Sequence, residues 1–434
     1  MRSKGNRVSP RHGWARAAGV SRRNATRRIR LADGIGLVEA LRVSGNPLFT
    51  RLAQHGDLPA SIARHTDEDP GGPREGVVPP PPRSQKDTEE PMTRFPFFDG
   101  HNDLLLRLLR GDVTSEGVAS GLPDGHIDKP RARRGGLGGG MFAIFVPSPS
   151  EKTLRHDAMR HPPYDIPLPE PVSELDAAAW TERGFAALDD LEGAGAVRLC
   201  RTAAEVEAAL PAEEMATVAH IEGAEAIDRD FERLHAWHAR GLRSLGPVWS
   251  RDTVWGHGVP FRYPSDPDIG PGLTEAGKAL VRECNRLKIL VDLSHLNAKG
   301  VEDVAGITDA PLVATHSNAW SICPHARNLT DRQLDMIRDS DGIVGINFAS
   351  AFLRPDGCMD AEFELDILLR HFDHLAERLG EDRVGFGSDF DGALVPDPIT
   401  DCAGLPNLIE ALQSHGVDDG LLAKVTHGNW LRVL

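Results

Sequence analysis

The sequence predicts an α/β fold, a (β/α)8 barrel of the TIM type, for residues 94–434. Three observations lead to this prediction. Eight short apolar runs follow residue 94, and amphipathic helical patterns such as "TEAGKALVRECNRL" lie between most of them. Five of the runs end in side chains of the metal-ligand type. Strands that alternate with helices are typical of parallel sheets, and eight such strands are the number that closes a barrel.

The predicted strands are short and rich in β-branched and aromatic residues. In chain order they cover residues 95–101, 141–146, 216–222, 242–248, 288–295, 311–316, 342–348 and 383–389. An open, doubly wound sheet is the alternative arrangement. The glycine fingerprint that would support a dinucleotide-binding sheet of that kind is missing after the first strand.

Residues 1–93 differ in composition from the rest of the chain. They are basic and rich in proline, with 16 Lys and Arg against 10 Asp and Glu in residues 1–91. Such a composition cannot bury a core, so we expect a disordered extension rather than a domain. It has no long apolar segment of a secretory signal. Because Met92 stands just before the first strand, an upstream extension or a misassigned start is one interpretation, and a transit-like or anionic-surface-binding arm is another.

The overall composition excludes several classes of protein. Of 434 residues, 40% are hydrophobic and 26% are charged, which is typical of a globular protein. No apolar run approaches the roughly 20 residues of a membrane span, so we expect no membrane partner. The net charge of −15, on a chain whose first 91 residues are basic, argues against nucleic acid as a partner. Five scattered cysteines without a C-x-x-C pair fit a reducing, cytoplasmic location.

Side chains that can bind metal ions stand at five predicted strand ends. They are His101 and Asp103 after the first strand, Glu222 after the third, His295 after the fifth, His316 after the sixth and Asp389 after the eighth. In a (β/α)8 barrel these ends form the active-site face. Three imidazoles and three carboxylates are more than one tetrahedral zinc ion uses. The pattern therefore predicts two metal ions that share a carboxylate.

Two neighbouring metal ions polarise a carbonyl group and lower the pKa of a shared water, so hydrolysis of an amide is the expected reaction. A proton carrier is also needed. Asp389 is the predicted carrier, and Asp391 in "GSDFDG" is the alternative. Arg327, in the loop after the sixth strand, is a candidate for binding a free peptide carboxylate through two parallel hydrogen bonds. A solvated loop arginine is the other interpretation of Arg327.

Together these residues resemble the membrane (renal-type) dipeptidase family, zinc metallopeptidases with an amidohydrolase-like barrel of metal-dependent hydrolase architecture. The resemblance spans residue 95 to the end and includes "FDGHNDLLLRL", "HIEGAEAI", "VDLSHLN", "ATHSNA", "HARNLTD" and "GFGSDFDG". It implies two Zn²⁺ per chain, with His101 and Asp103 on one ion, His295 and His316 on the other, and Glu222 bridging. It also implies hydrolysis of dipeptides, often with a D-residue at the C-terminal position, and a homodimer.

The resemblance has three departures. Trp249 stands where family members commonly have a histidine that contacts the substrate near the scissile carbonyl. Ala349 replaces a tyrosine, and Glu225 replaces a histidine that follows the bridging glutamate. We expect Trp249 to form an apolar wall of the pocket, with Arg251 or His257 supplying the missing donor. The alternative is that this loop supplies no donor and ordinary dipeptides are cleaved slowly.

Two other functions fit parts of the pattern. A related barrel hydrolase acting on another small amide, such as an N-acyl amino acid or a cyclic amide, is supported mainly by Trp249. A barrel without activity that is retained for binding would be expected to have lost one or more of the six strand-end residues, and all six are present.

Overall fold

A computed structural model of the chain describes residues 95–148 and 156–434. The extension predicted at residues 1–93 lies outside these residues. Eleven strands occur in the described part of the chain. They are β1 (Phe97–Asn102), β2 (Leu137–Phe145), β3 (Tyr164–Ile166), β4 (Val197–Leu199), β5 (Met215–Glu222), β6 (Leu242–Gly246), β7 (Phe261–Tyr263), β8 (Leu290–Val291), β9 (Val313–Ala314), β10 (Ile343–Ile346) and β11 (Val384–Phe386).

Eight of these strands form a near-closed parallel barrel. Five pair in the order β1-β2-β5-β6-β8, and three pair in the order β11-β10-β9. Parallel bridges from Asp292 to Val313 and from Asn102 to Phe390 join the two groups. Each of the eight predicted apolar runs overlaps one of these strands, so the predicted fold class is confirmed.

The helices follow the strands. They are α1 (Leu104–Arg110), α2 (Ser115–Ser120), α3 (Lys129–Gly135), α4 (Glu174–Gly193), α5 (Ala203–Ala209), α6 (Glu232–Arg240), α7 (Glu275–Leu287), α8 (Ala298–Ala305), α9 (Asp331–Asp339), α10 (Ser350–Leu353), α11 (Asp366–Leu379), α12 (Leu405–Ser414), α13 (Asp419–Ala423) and α14 (Asn429–Val433). In α7 the Thr274 hydroxyl accepts a hydrogen bond from the Gly277 N–H, and Gly277, Leu280, Val281 and Cys284 are buried. That spacing buries one face of the helix against the barrel. No helix of the described residues is long and apolar enough to cross a membrane.

Three short strands were not predicted from the sequence. β4 pairs in parallel with β5 at its first residues, and β3 pairs antiparallel with β7. Each has three residues, which is too short to show an alternating pattern. β2 also begins four residues before the predicted run, at "LGGG". Glycine is uncommon in strands, so this stretch was not predicted to be one. Here glycine is needed because the two strands approach closely: a Cβ at Gly139 would lie 2.2 Å from the Ala216 carbonyl oxygen of β5.

Trp430 of α14 fills a space that three strands leave open. Its indole is fully buried and donates a hydrogen bond to the Phe386 carbonyl oxygen at 3.1 Å. A Cβ at Gly100, Gly345 or Gly385 would lie 2.4, 2.9 or 2.6 Å from an atom of this side chain. The glycines of β1, β10 and β11 therefore let a single large side chain pack directly on the strand backbones.

We expect Trp430→Ala to lower the free energy of unfolding by about 3–5 kcal/mol, because the neighbouring glycines have no side chains with which to fill the cavity. Leu175→Ala is the control, since Leu175 is 73% exposed and should change stability by less than about 0.5 kcal/mol. Urea or guanidinium unfolding measures both. Equal stability of the two variants would show that α14 contributes little to the barrel.

Candidate metal centre and active site

The carboxyl ends of the barrel strands bring the predicted ligands together. Glu222 is the last residue of β5, and Asp103 directly follows β1, which contains His101. His295, His316 and Asp389 lie in the segments that follow β8, β9 and β11. All six residues are at least partly buried, and the three histidines and Glu222 are almost fully so. The sequence therefore folds so that residues more than 280 positions apart face one cavity.

Glu222 lies at the centre of the cluster. Its Oε1 is 3.0 Å from His295 Nε2 and 3.6 Å from His316 Nε2, and its Oε2 is 3.8 Å from His101 Nε2. His101 Nε2 is also 3.6 Å from Asp103 Oδ2. All three imidazoles therefore direct the same ring nitrogen, Nε2, toward one carboxylate.

Hydroxyl groups set the orientation of two of these rings. Ser250 Oγ is 2.8 Å from His295 Nδ1, and Thr315 Oγ1 is 2.8 Å from His316 Nδ1. Thr315 Oγ1 in turn donates to Asp292 Oδ2 at 2.7 Å. A hydrogen bond at Nδ1 fixes the ring and leaves Nε2 free to bind a metal. Ser250, Thr315 and Asp292 were not predicted from the sequence, because polar residues of these types near strand ends follow no spacing pattern.

The backbone is strained at two of the candidate residues. His295 has φ of 66° and Asp389 has φ of 61°, in the left-handed region that favours glycine. Non-glycine residues in this region cost energy and persist where the surrounding structure holds them. Such conformations are common at active sites, and here they follow short strands that must turn sharply at the rim of the barrel.

The electrostatics of the cluster suit metal binding. Burial lowers the pKa of His295 and of His316 well below the ordinary value, so both imidazoles are neutral at neutral pH. Burial also raises the pKa of Glu222 well above its ordinary value, since a charged carboxylate in a dry interior is costly. A cation would compensate the charge of Glu222 and accept the lone pairs of the rings.

The donor set fits zinc. His101, Glu222 and His316 each offer an atom within 4.8 Å of the others, and so do His101, Asp103 and Asp389. Neither ring nitrogen of His101 has a hydrogen-bond partner among the described residues, although both are buried. Buried polar atoms without partners are costly. Imidazole nitrogens and carboxylate oxygens are ligands that zinc prefers.

Asp389 lies beside this cluster and Asp391 is held elsewhere. Asn347 Nδ2 donates to Asp389 Oδ2 at 2.9 Å, and burial raises the pKa of Asp389. Asp391 exchanges two hydrogen bonds with His126: its Oδ1 accepts from the His126 N–H at 2.8 Å, and its own N–H donates to His126 Nδ1 at 2.7 Å. Asp389 is therefore the carboxyl that is close to the candidate ligands and can change its protonation there.

Arg327 is buried against the same segment. Its Nη2 donates to the His316 carbonyl oxygen at 3.1 Å, and its Nε has no partner among the described residues. Burial lowers the pKa of Arg327 to about 10, so it stays cationic at neutral pH. Arg327 does not line the main cavity directly, but Asp389 and Glu222 are close enough to act on its charge.

A cavity of about 410 Å³ opens over the cluster. Its polar wall includes Asp103, Glu222, His295 and Asp389. The rest of the lining is mostly apolar, and Trp249 and Ala349, two departures from the family pattern, both belong to it. The Trp249 ring is 5.8 Å from the His295 ring, so the indole lies beside a candidate ligand.

The two polar residues expected to replace the family histidine are occupied elsewhere. Arg251 is completely buried and its guanidinium binds Glu225, Ser148 and the Val146 carbonyl oxygen. His257 does not line the cavity, and its Nδ1 lies 3.2 Å from Asp252 Oδ2. These contacts give no support to the expectation that either residue donates to a substrate.

Comparison with known proteins identifies relatives of this architecture. The model of the membrane dipeptidase family, peptidase family M19, matches residues 85–434. The Aspergillus oryzae protein dipeptidase AclJ is 30% identical over 373 residues, which are 80% of this chain and 79% of the relative. An uncharacterized Klebsiella pneumoniae protein in the pqqA 5' region is 49% identical over 241 residues, 56% of this chain and 89% of the relative.

A solved structure gives the same result. The metallo peptidase from Rhodobacter sphaeroides, crystallised with a phosphinate mimic of the dipeptide L-Ala-D-Ala, is 53% identical and superposes with a TM-score of 0.76. The match covers 78% of this chain and 98% of that protein. Because the family model and the solved structure both cover the whole barrel with its ligand cluster, the chain belongs to the membrane dipeptidase family, peptidase family M19, and is a metal-dependent hydrolase of peptide bonds.

Proposed function

We propose that this enzyme hydrolyses dipeptides, including those with a D-residue at the C-terminal position, at a centre of two zinc ions. The observation that carries the proposal is the convergence of three imidazole Nε2 atoms on Glu222, beside a partly buried Asp389. The Rhodobacter sphaeroides structure, which binds a mimic of L-Ala-D-Ala, supports the choice of substrate.

His101 and Asp103 are assigned to one ion, His295 and His316 to the second, and Glu222 to both. When bound, zinc at this site would polarise the scissile carbonyl and lower the pKa of the attacking water. Glu222 suits the bridging position because its two oxygens face different imidazoles, Oε1 toward His295 and Oε2 toward His101.

Asp389 is assigned the proton transfer. It takes a proton from the attacking water and delivers it to the nitrogen of the leaving amine. Burial raises its pKa, so its protonated form is closer in energy to the ionised form than that of an ordinary aspartate. The hydrogen bond from Asn347 to Oδ2 restricts rotation of the carboxyl group.

Charged groups of both signs lie in or near the site and match the two ends of a free dipeptide. Arg327 is a buried cation and is assigned to the C-terminal carboxylate. Asp103 and Asp389 line the cavity as acidic residues and complement an N-terminal ammonium group. A substrate that carries both charges is thereby distinguished from a longer peptide, in which the two charges are further apart.

The test is a dipeptide panel with purified, zinc-loaded enzyme, including matched L,L and L,D members. We expect cleavage of both series, detected by the release of free amino acids. N-acetyl amino acids serve as the comparison, because they keep the carboxylate and the amide but lack the ammonium group. Cleavage of N-acetyl amino acids alone would favour the second candidate function, for which the apolar lining around Trp249 is the supporting observation.

The metal count tests the assignment of Glu222. We expect about two zinc ions per chain by elemental analysis after dialysis, and fewer in Glu222→Gln, because the amide lacks the charge that a shared ligand needs. Glu213→Gln is the control, since Glu213 has a largely exposed side chain that pairs with Arg133 and not with a candidate ligand. A firm count of one ion in a fully active wild-type enzyme would contradict the dinuclear centre.

Removal of the Arg327 guanidinium tests the carboxylate assignment. We expect Arg327→Ala to reduce kcat/KM for free dipeptides by about ten- to a hundredfold, because a lost charge-assisted hydrogen bond costs roughly 1.5–3 kcal/mol. The same dipeptides with a C-terminal amide should lose much less. Arg332→Ala, at an exposed arginine of α9, is the control. An equal loss on free and amidated substrates would assign Arg327 a structural role.

A further inference from the structure

Two departures from the family pattern lie in contact with one buried arginine. Glu225 and Trp249 are 24 positions apart in the sequence, and Arg251 joins them. Arg251 Nε lies 2.8 Å and its Nη2 2.6 Å from Glu225 Oε1. The Arg251 guanidinium carbon is 5.7 Å from the centre of the Trp249 ring. The two changes thus form one physical unit.

The ion pair is fully buried, with side chains of Arg251 and Glu225 that are 0% and 2% exposed. Arg251 completes its hydrogen bonds with the Ser148 hydroxyl at 2.7 Å and the Val146 carbonyl oxygen at 2.8 Å. A buried pair of this kind costs desolvation energy, so it contributes little net stability, but its strict geometry fixes the position of whatever packs on it. Gly223 lets Glu225 approach, because it adopts φ of 86° and a Cβ there would lie 2.5 Å from Glu225 Oε2.

Two rings that line the cavity pack on this pair. The guanidinium carbon of Arg251 is 5.9 Å from the Phe145 ring, and the Phe145 and Trp249 rings are 4.9 Å apart. Contacts of a guanidinium with aromatic faces are attractive, and more so away from water. Trp249 is also held by a backbone bridge to Arg251.

A row of aromatic rings leads from Trp249 to Arg327. Trp249 meets the Phe261 ring edge-on at 5.6 Å, and Phe261 stacks on Phe352 at 5.9 Å. The Arg327 guanidinium carbon lies 5.6 Å from the Phe352 ring. The side chain of a C-terminal residue branches from the carbon that bears the carboxylate. A carboxylate bound at Arg327 therefore places that side chain next to these rings.

We propose that Glu225 and Arg251 are positioning residues that hold Trp249 and Phe145 as one apolar wall, and that this wall selects dipeptides with a large apolar side chain on the C-terminal residue. The inference rests on the proposed function. A leucine side chain buries its carbons against the rings, whereas a charged side chain loses hydration against them. Met159 and Met359, which also line the cavity, can adapt to side chains of different shape.

The substrate test compares L-Ala-D-Leu, L-Ala-D-Ala and L-Ala-D-Glu, with the corresponding L,L series, on the zinc-loaded full chain. We expect kcat/KM for the leucine member to exceed that for the alanine member by about tenfold or more, and the glutamate member to be the poorest. L-Leu-D-Ala separates the two ends of the dipeptide, because leucine at the N-terminal position should bring a much smaller gain.

Two variants locate the cause of the selectivity. Trp249→Ala removes the indole from the wall, and Glu225→Gln removes the charge that holds Arg251. In both variants the ratio of kcat/KM for the leucine substrate to that for the alanine substrate should fall several-fold, mainly through a higher KM for the leucine substrate. The zinc content should stay that of the wild type. Glu174→Gln is the matched control, because it disrupts the exposed ion pair with Arg233 and should leave the ratio unchanged.

The outcomes are distinguishable. If the wild-type enzyme is active but shows no preference for leucine, this inference is wrong while the proposed function stands. The same holds if Trp249→Ala keeps the wild-type ratio of kcat/KM between the leucine and alanine substrates. A folded Glu225→Gln enzyme with an unchanged ratio overturns the positioning role. If Glu225→Gln does not fold, Arg251→Lys tests the same contact, since lysine keeps the charge but cannot reach Glu225, Ser148 and Val146 together. A zinc-loaded wild type that cleaves no dipeptide overturns the proposed function, and the inference falls with it.

Discussion

The site depends on one electrostatic constraint, the burial of the Glu222 carboxylate among three imidazoles. A carboxylate that is almost fully removed from water needs positive charge or hydrogen-bond donors close to both oxygens. The three rings that surround it are held at fixed angles, two of them by hydroxyl groups at Nδ1. The chain alone leaves this cluster incompletely satisfied, since neither ring nitrogen of His101 has a partner among the described residues. A bound cation resolves the imbalance, which is why the geometry belongs to a metallopeptidase rather than to a structural core.

The barrel supplies the precision that this constraint needs. β1 and β11 are joined at their ends, because the Asp103 N–H donates to the Phe390 carbonyl oxygen at 2.8 Å and the Asp389 N–H donates to the His101 carbonyl oxygen at 3.0 Å. Two candidate ligands and the candidate proton carrier are thus fixed by backbone hydrogen bonds rather than by flexible side chains. Functional side chains on strand ends are placed more accurately than those on free loops. The strain at Asp389 is therefore held by the closure of the barrel itself.

Much of this arrangement could be predicted from the sequence, and the reason is periodicity. Each barrel strand is a buried apolar run, and a ligand-type residue directly after such a run is visible without any structure. The strands β3 and β7 are too short to show such a pattern. The start of β2 was not predicted because it is made of glycines, which its close approach to β5 requires. Contacts between segments that are distant in the sequence could not be predicted either. Nothing near Arg251 in the sequence shows that its partner is Glu225, so the sequence alone provided no reason to set Arg251 aside as a candidate donor to the substrate.

The loop after β6 shows how a buried contact can occupy a polar side chain that the sequence presents as available. A donor-rich sequence predicts polar contacts with a ligand only if its donors are not already used, and Arg251 uses three different nitrogen atoms within the protein. What faces the cavity is the indole that the arginine supports. Glu222 ends β5 and lies among the imidazoles, and Glu225, three residues later, binds Arg251. One short turn that contains Gly223 thereby places the candidate metal ligand Glu222 next to the residue that supports Trp249 and Phe145.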